Sequence, residues 1–212
     1  MSFAHSSTAL TDLGLAVEAS LFCGLLVFSR ERSVQCWAIA FGCTAIAAIS
    51  GAIFHGFSSS LPVKIAMLCQ LVIAYGINAA SGLMLLGIIK SDVLPSVQFW
   101  WVGIVGIKLI VFSGLQSRHL DDFSYVAADY LLAMIVILLL ETRKYFTQKT
   151  PSTIWFTGGI MISMVAVCIL ALRWSPSVMI SPDAIYHIVQ MVALYWFYRG
   201  TQLLADRKSA RS

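Results

Sequence analysis

The 212 residues are 59% hydrophobic and only 11% charged, with a formal net charge of +4. A water-soluble domain of this length carries about a quarter charged residues, so the outer surface of this chain is expected to face lipid. The 14 basic residues are scattered and form no cluster interleaved with aromatics, which excludes a nucleic-acid surface.

The N-terminal stretch MSFAHSSTALTD has no positive residues ahead of its apolar run. The first hydrophobic segment is therefore expected to remain as a membrane helix rather than be cleaved as a signal peptide. A bilayer core requires about 20 apolar residues per helix, and seven such runs occur in one transmembrane domain spanning residues 1–212. The pattern predicts an all-α bundle with helices near Ala9–Phe28, Val34–Phe57, Val63–Ile89, Val97–Leu115, Phe123–Leu140, Thr153–Leu172 and Asp183–Leu204. The breaks between them, such as SRERS, KSDVLPS and ETRKYFTQKTPS, hold the Pro, Ser, Asp and basic residues of turns. No internal repeat is evident. Cys23, Cys36, Cys43, Cys69 and Cys168 lie in apolar spans or at their edges with no CxxC pair, and read as small membrane-core residues.

Basic residues orient the bundle. Arg30, Arg32, Lys90, Arg143, Lys144, Lys149, Arg199, Arg207, Lys208 and Arg211 fall on one side; Lys64, Arg118 and Arg173 fall on the other. The reading is N-terminus outside and C-terminus cytoplasmic, as expected of a multi-pass protein of a bacterial inner (plasma) membrane.

With that topology, helical rise places His55, His187, Asp12, Asp129, Gln70, Lys108, Gln190 and Glu18 in the outer half, most of them within about 10 Å of the surface. His5 and His119 fall in outer segments as well. The inner half holds only Asn78 by the same count. A water-accessible outer pocket would collect polar residues at one level, and intramembrane ionisable groups mark function by default. Thr44, Ala48, Gly51 and His55 share one face of the second helix, and His187, Gln190, Met191 and Leu194 one stripe of the last. Gln70, Asn78 and Gln190 also suit interhelical hydrogen bonding. Lys108 needs a carboxylate partner, with Asp129, Glu18 and Asp12 as candidates, and such an ion pair would lock helices rather than serve a ligand. The aromatic groups Phe99-Trp100-Trp101 and Tyr195 to Tyr198 read as interfacial belts.

Seven helices with an outer N-terminus invite comparison with the rhodopsins, but the last span has no lysine for a Schiff base. A histidine closing helix two (His55) and another opening helix seven (His187) resemble the CREST superfamily, which includes alkaline ceramidases and progestin/adiponectin receptors. That resemblance implies a zinc ion held by His55 and His187 and hydrolysis of a lipid amide. Asp129, before Asp12, would complete the ligand set. The other carboxylate would act as general base, and Lys108 or Gln190 would stabilise developing negative charge. The family's serine before the helix-two histidine is Gly51 here, its second helix-seven histidine is Met191, and its helix-three aspartate has no counterpart. The TDLGL opening and HIVQMVALYWFYRG also resemble uncharacterised small seven-helix bacterial membrane proteins. The alternative reading is a non-catalytic receptor, sensor or carrier taking a small ligand or amphiphile in the same pocket, with membrane lipids as its surroundings.

Overall fold

The computed structural model describes residues 3–57, 59–120, 122–148, 150–177 and 180–209, excluding the side chains of residues 3–6, 148 and 207–209. His5, Lys149 and the basic tail of Arg207, Lys208 and Arg211 therefore lie outside the described side chains. Seven helices make up the fold: α1 (Phe3–Leu26), α2 (Arg32–Phe57), α3 (Val63–Asp92), α4 (Pro95–Arg118), α5 (Ser124–Gln148), α6 (Pro151–Ala171) and α7 (Pro182–Ser209).

Proline sets several of the starts. Pro95 and Pro151 occupy the first turns of α4 and α6, and Pro62 caps α3. There its fixed φ suits the helix and its missing N–H costs nothing. Short connectors make consecutive helices antiparallel neighbours. α2 packs between α1 and α3, α6 packs on α7, and α1 meets α7 to close the bundle. α4 packs on α3 and α5, and buries only Val105, Lys108 and Gln116.

The core is aromatic at its centre. Trp37 of α2 is fully buried, stacks on Phe156 at 5.1 Å between ring centroids, and lies 5.4 Å from Phe197. Large apolar side chains also cover much of the outer helix surface. Leu10, Val17, Leu21 and Leu25 of α1 and Ile104, Ile107 and Ile110 of α4 all face outward. Charged and amide side chains such as Asp12, Asn78, Lys108, Asp129 and Glu141 are buried. Exposed apolar surface of this extent marks contact with lipid or another apolar partner. α1 to α6 are each long and apolar enough to cross a membrane. α7 is also long enough, but Asp183, His187, Gln190 and Arg199 dilute its apolar character.

Two departures from the sequence reading matter. α5 continues past Leu140 to Gln148, because Glu141, Thr142, Arg143 and Lys144 suit a helix and Pro151 begins the next one. Its extra turns carry Glu141 and Lys144 into the protein interior. Lys144 Nζ lies 2.7 Å from Asp92 Oδ1 of α3 and 3.5 Å from Glu141 Oε1. The expectation that the inner half holds only Asn78 is thus corrected: a second buried charge cluster occupies the end of the bundle opposite the start of α1.

Candidate functional site

At the end where α1 and α7 begin, Thr8 Oγ1 and Ser181 Oγ lie 2.6 Å apart and tie the two helices together. Just below lies a cavity of about 280 Å³, walled by residues from all seven helices, α6 contributing Leu170. The sequence reading named several of its polar residues: Asp12, His55, Gln70, His119, His187 and Gln190. Leu15, Phe54, Ile77 and Phe123 supply apolar wall, and Tyr130 and Tyr186 amphipathic wall.

Asp12 and His187 form the centre of the site. His187 Nε2 stands 3.3 Å from Asp12 Oδ1, and His187 Nδ1 stands 3.2 Å from Thr11 Oγ1. The Thr11 hydroxyl also lies 3.0 Å from the Thr8 carbonyl and 3.1 Å from that of Ser7. Its single proton serves only one of these acceptors. When it goes to a carbonyl, the Thr11 oxygen accepts from Nδ1–H, and a neutral ring then turns a bare Nε2 toward Asp12. That contact requires a proton shared between carboxyl and imidazole.

Gly51 explains how Asp12 fits. A Cβ at that position would stand 2.9 Å from both Asp12 carboxylate oxygens, so the absence of a side chain makes room for the carboxyl against α2. Asp12 Oδ2 is buried with no hydrogen-bond partner.

Gln190 Nε2 donates to Tyr130 Oη at 2.7 Å, and Tyr130 Oη lies 3.1 Å from Ser163 Oγ. Gln190 Oε1 has no partner. Gln116 is also buried, and neither end of its amide is satisfied. The sequence reading placed Gln116 in the break after helix four, whereas α4 runs on to Arg118 and turns it into the wall. An amide adjoining an apolar run was the available signal. Tyr130 and Tyr186 gave none, because tyrosines in a span look like any other aromatic. Asp122 lies at the exposed edge of the cavity. Hydrogen bonds from the Ser124 side chain and from its backbone N–H, the latter at 2.9 Å, hold the Asp122 carboxyl below the usual carboxylate range.

Other residues named from sequence lie elsewhere. Lys108 Nζ is 2.6 Å from Asp129 Oδ1 and donates to Ser81 Oγ and Asn78 Oδ1 at 2.5 and 3.1 Å. Ser81 in turn donates to Asp129 Oδ2 at 2.9 Å. Neither Lys108 nor Asp129 lines the cavity, and nor does Glu18. The assumption that Asp129 shares a site with His55 and His187 is corrected: α5 turns it toward α3 and α4, where Lys108 engages it.

This bears on zinc, which needs three or four converging donors. His55, His187 and Asp12 line one cavity, but both nitrogens of His187 already face Thr11 and Asp12. Among the described residues no three His, Cys, Asp or Glu side chains are grouped to hold a metal ion. The donors present do not fit the ion that the resemblance implied.

A family match runs from residue 7 to residue 206 and so takes in every residue of the cavity. The chain belongs to DUF6962, a family of unknown function. No curated protein and no solved structure matches it. Membership in DUF6962 extends over all seven helices and carries no activity with it.

Proposed function

We propose that this protein is a seven-span integral membrane protein that binds a small ligand in the cavity between α1, α2 and α7, as a receptor, sensor or carrier rather than as an enzyme. With the N-terminus outside, the cavity lies toward the outer face. One observation carries the reading: Asp12, Gln116 and Gln190 are buried around a single cavity with polar atoms that no described residue partners. An unsatisfied buried polar group costs about 1–3 kcal/mol, so three around one void favour an occupant that completes their hydrogen bonds. Apolar walls with a few convergent polar groups are the usual make-up of a small-molecule site.

The amide-hydrolase reading has less support, because Asp129 is engaged by Lys108 and, among the described residues, His55, His187 and Asp12 are not grouped to hold a metal ion. Binding needs no such convergence.

The test is a thermal-shift screen of small cationic, neutral and anionic compounds on protein in lipid nanodiscs, repeated with the cavity filled. Ala48 lines the cavity from α2, so Ala48→Phe should abolish the shifts seen with wild type, with Thr44→Phe as a second filling variant. Hits that stabilise both filled variants as well as wild type, or no hit at all, would overturn the reading.

A further inference from the structure

We propose that the cavity is selective for a small organic ammonium ion with N–H donors and an apolar or aromatic body. This inference rests on the ligand-binding reading above and names the ligand's chemistry. The charges at the cavity point one way. Among the described residues, Asp12, Asp122 and Asp183 line it together with His55, His119 and His187, and no lysine or arginine does. Of the two cations of α4, Lys108 is bound to Asp129, Asn78 and Ser81, and Arg118 is exposed at the helix end and does not line the cavity. Among the described residues Asp12 has the His187 ring as its one polar partner, on Oδ1.

The unmet atoms point the same way. Among the buried atoms of the described residues, Asp12 Oδ2, Gln190 Oε1 and Gln116 Oε1 are unmet acceptors around the cavity, against one unmet donor, Gln116 Nε2. The Gln190 amide nitrogen already donates to Tyr130. A ligand rich in donors answers this set, whereas a carboxylate or phosphate would meet three carboxyl groups and no fixed cation. Phe54 and Tyr186 offer ring surface beside these acceptors. Aromatic faces attract organic cations and accept an apolar body equally well. In a membrane interior an ammonium must be paired, and Asp12 pairs with it once the proton it shares with His187 has left the pair.

The probe is 2-phenylethylammonium, compared with 2-phenylethanol, phenylacetate and the N,N,N-trimethyl analogue, by calorimetry on wild-type protein in nanodiscs. The ammonium should bind at least about tenfold more tightly than the alcohol, the range expected of a charge-assisted hydrogen bond. Phenylacetate should not bind, and the trimethyl analogue, which cannot donate, should be weaker than the primary amine. Asp12→Asn should remove the preference for the amine over the alcohol. This comparison on the wild-type chain stands even if Asp12→Asn fails to fold. Equal or tighter binding of the alcohol, phenylacetate or the trimethyl analogue, an Asp12→Asn affinity equal to wild type, or no amine binding would each overturn the assignment. If Ala48→Phe abolishes phenylacetate binding, the amine assignment fails while the cavity reading stands. If amine binding survives Ala48→Phe and Thr44→Phe, the cavity reading itself fails.

Discussion

Lys108 makes polar contacts with three residues across α3 and α5, Asn78, Ser81 and Asp129, and these satisfy a cation that an apolar span would otherwise expel. Sequence required a partner and supplied three candidates; only the meeting of helix faces chose Asp129 over Asp12 and Glu18. The choice has a consequence for Asp12, which is left to the cavity. Removing one member of a buried ion pair strands the other, at a cost of about 3–5 kcal/mol, while replacing both with apolar residues is close to neutral. Lys108→Met should therefore lower unfolding free energy by that amount in detergent-micelle denaturation, and Lys108→Met with Asp129→Leu should recover most of it. A single variant as stable as wild type would show that the pair does not hold α4 to α5.

At the scale of elements, the α6–α7 seam depends on close approach. A Cβ on Gly159 would stand 2.7 Å from the Phe197 ring and 3.3 Å from the Ala193 carbonyl. Phe197 is fully buried against Trp37 and has little freedom to move. Gly159→Ala should cost about 1–3 kcal/mol by overpacking, measured as a lowered unfolding midpoint. Gly103→Ala in α4, where a Cβ meets open space, is the matched control and should cost nothing. The existence and order of the helices were legible because length and hydropathy are local sums. Their ends were less so. Glu141 and Lys144 look like a loop in the sequence because they are charged, yet Asp92, 52 residues from Lys144, pairs with the lysine and lets α5 carry both inside.

Across the whole molecule, large apolar side chains cover the outer helix faces while Asp12, Asn78, Lys108, Asp129 and Glu141 are buried, an arrangement that suits a lipid solvent. α7 is the helix whose crossing is least evident from hydropathy, and the placement of the termini tests it directly. Seven crossings put the termini on opposite sides, and six put both on one side. The basic residues predict that a C-terminal green fluorescent protein fusion will fluoresce while a C-terminal alkaline phosphatase fusion stays inactive. An N-terminal tag should be reached by a protease added outside the cell membrane. Both termini on one side would show that α7 does not cross.

Sequence alone determined that the chain forms seven helices of membrane-spanning length, and it picked out Asp12, His55, His187, Gln190 and Lys108 as residues an apolar helix does not hold without cause. Those conclusions depend on composition within a window, which a linear chain displays in full. Tertiary structure decided which of them act together. Gly51 lets Asp12 approach α2, the start of α7 brings His187 to the same carboxyl, and α5 turns Asp129 away to Lys108. Each outcome depends on which faces of helices remote in sequence come into contact, and that information is not contained in the spacing of any one segment.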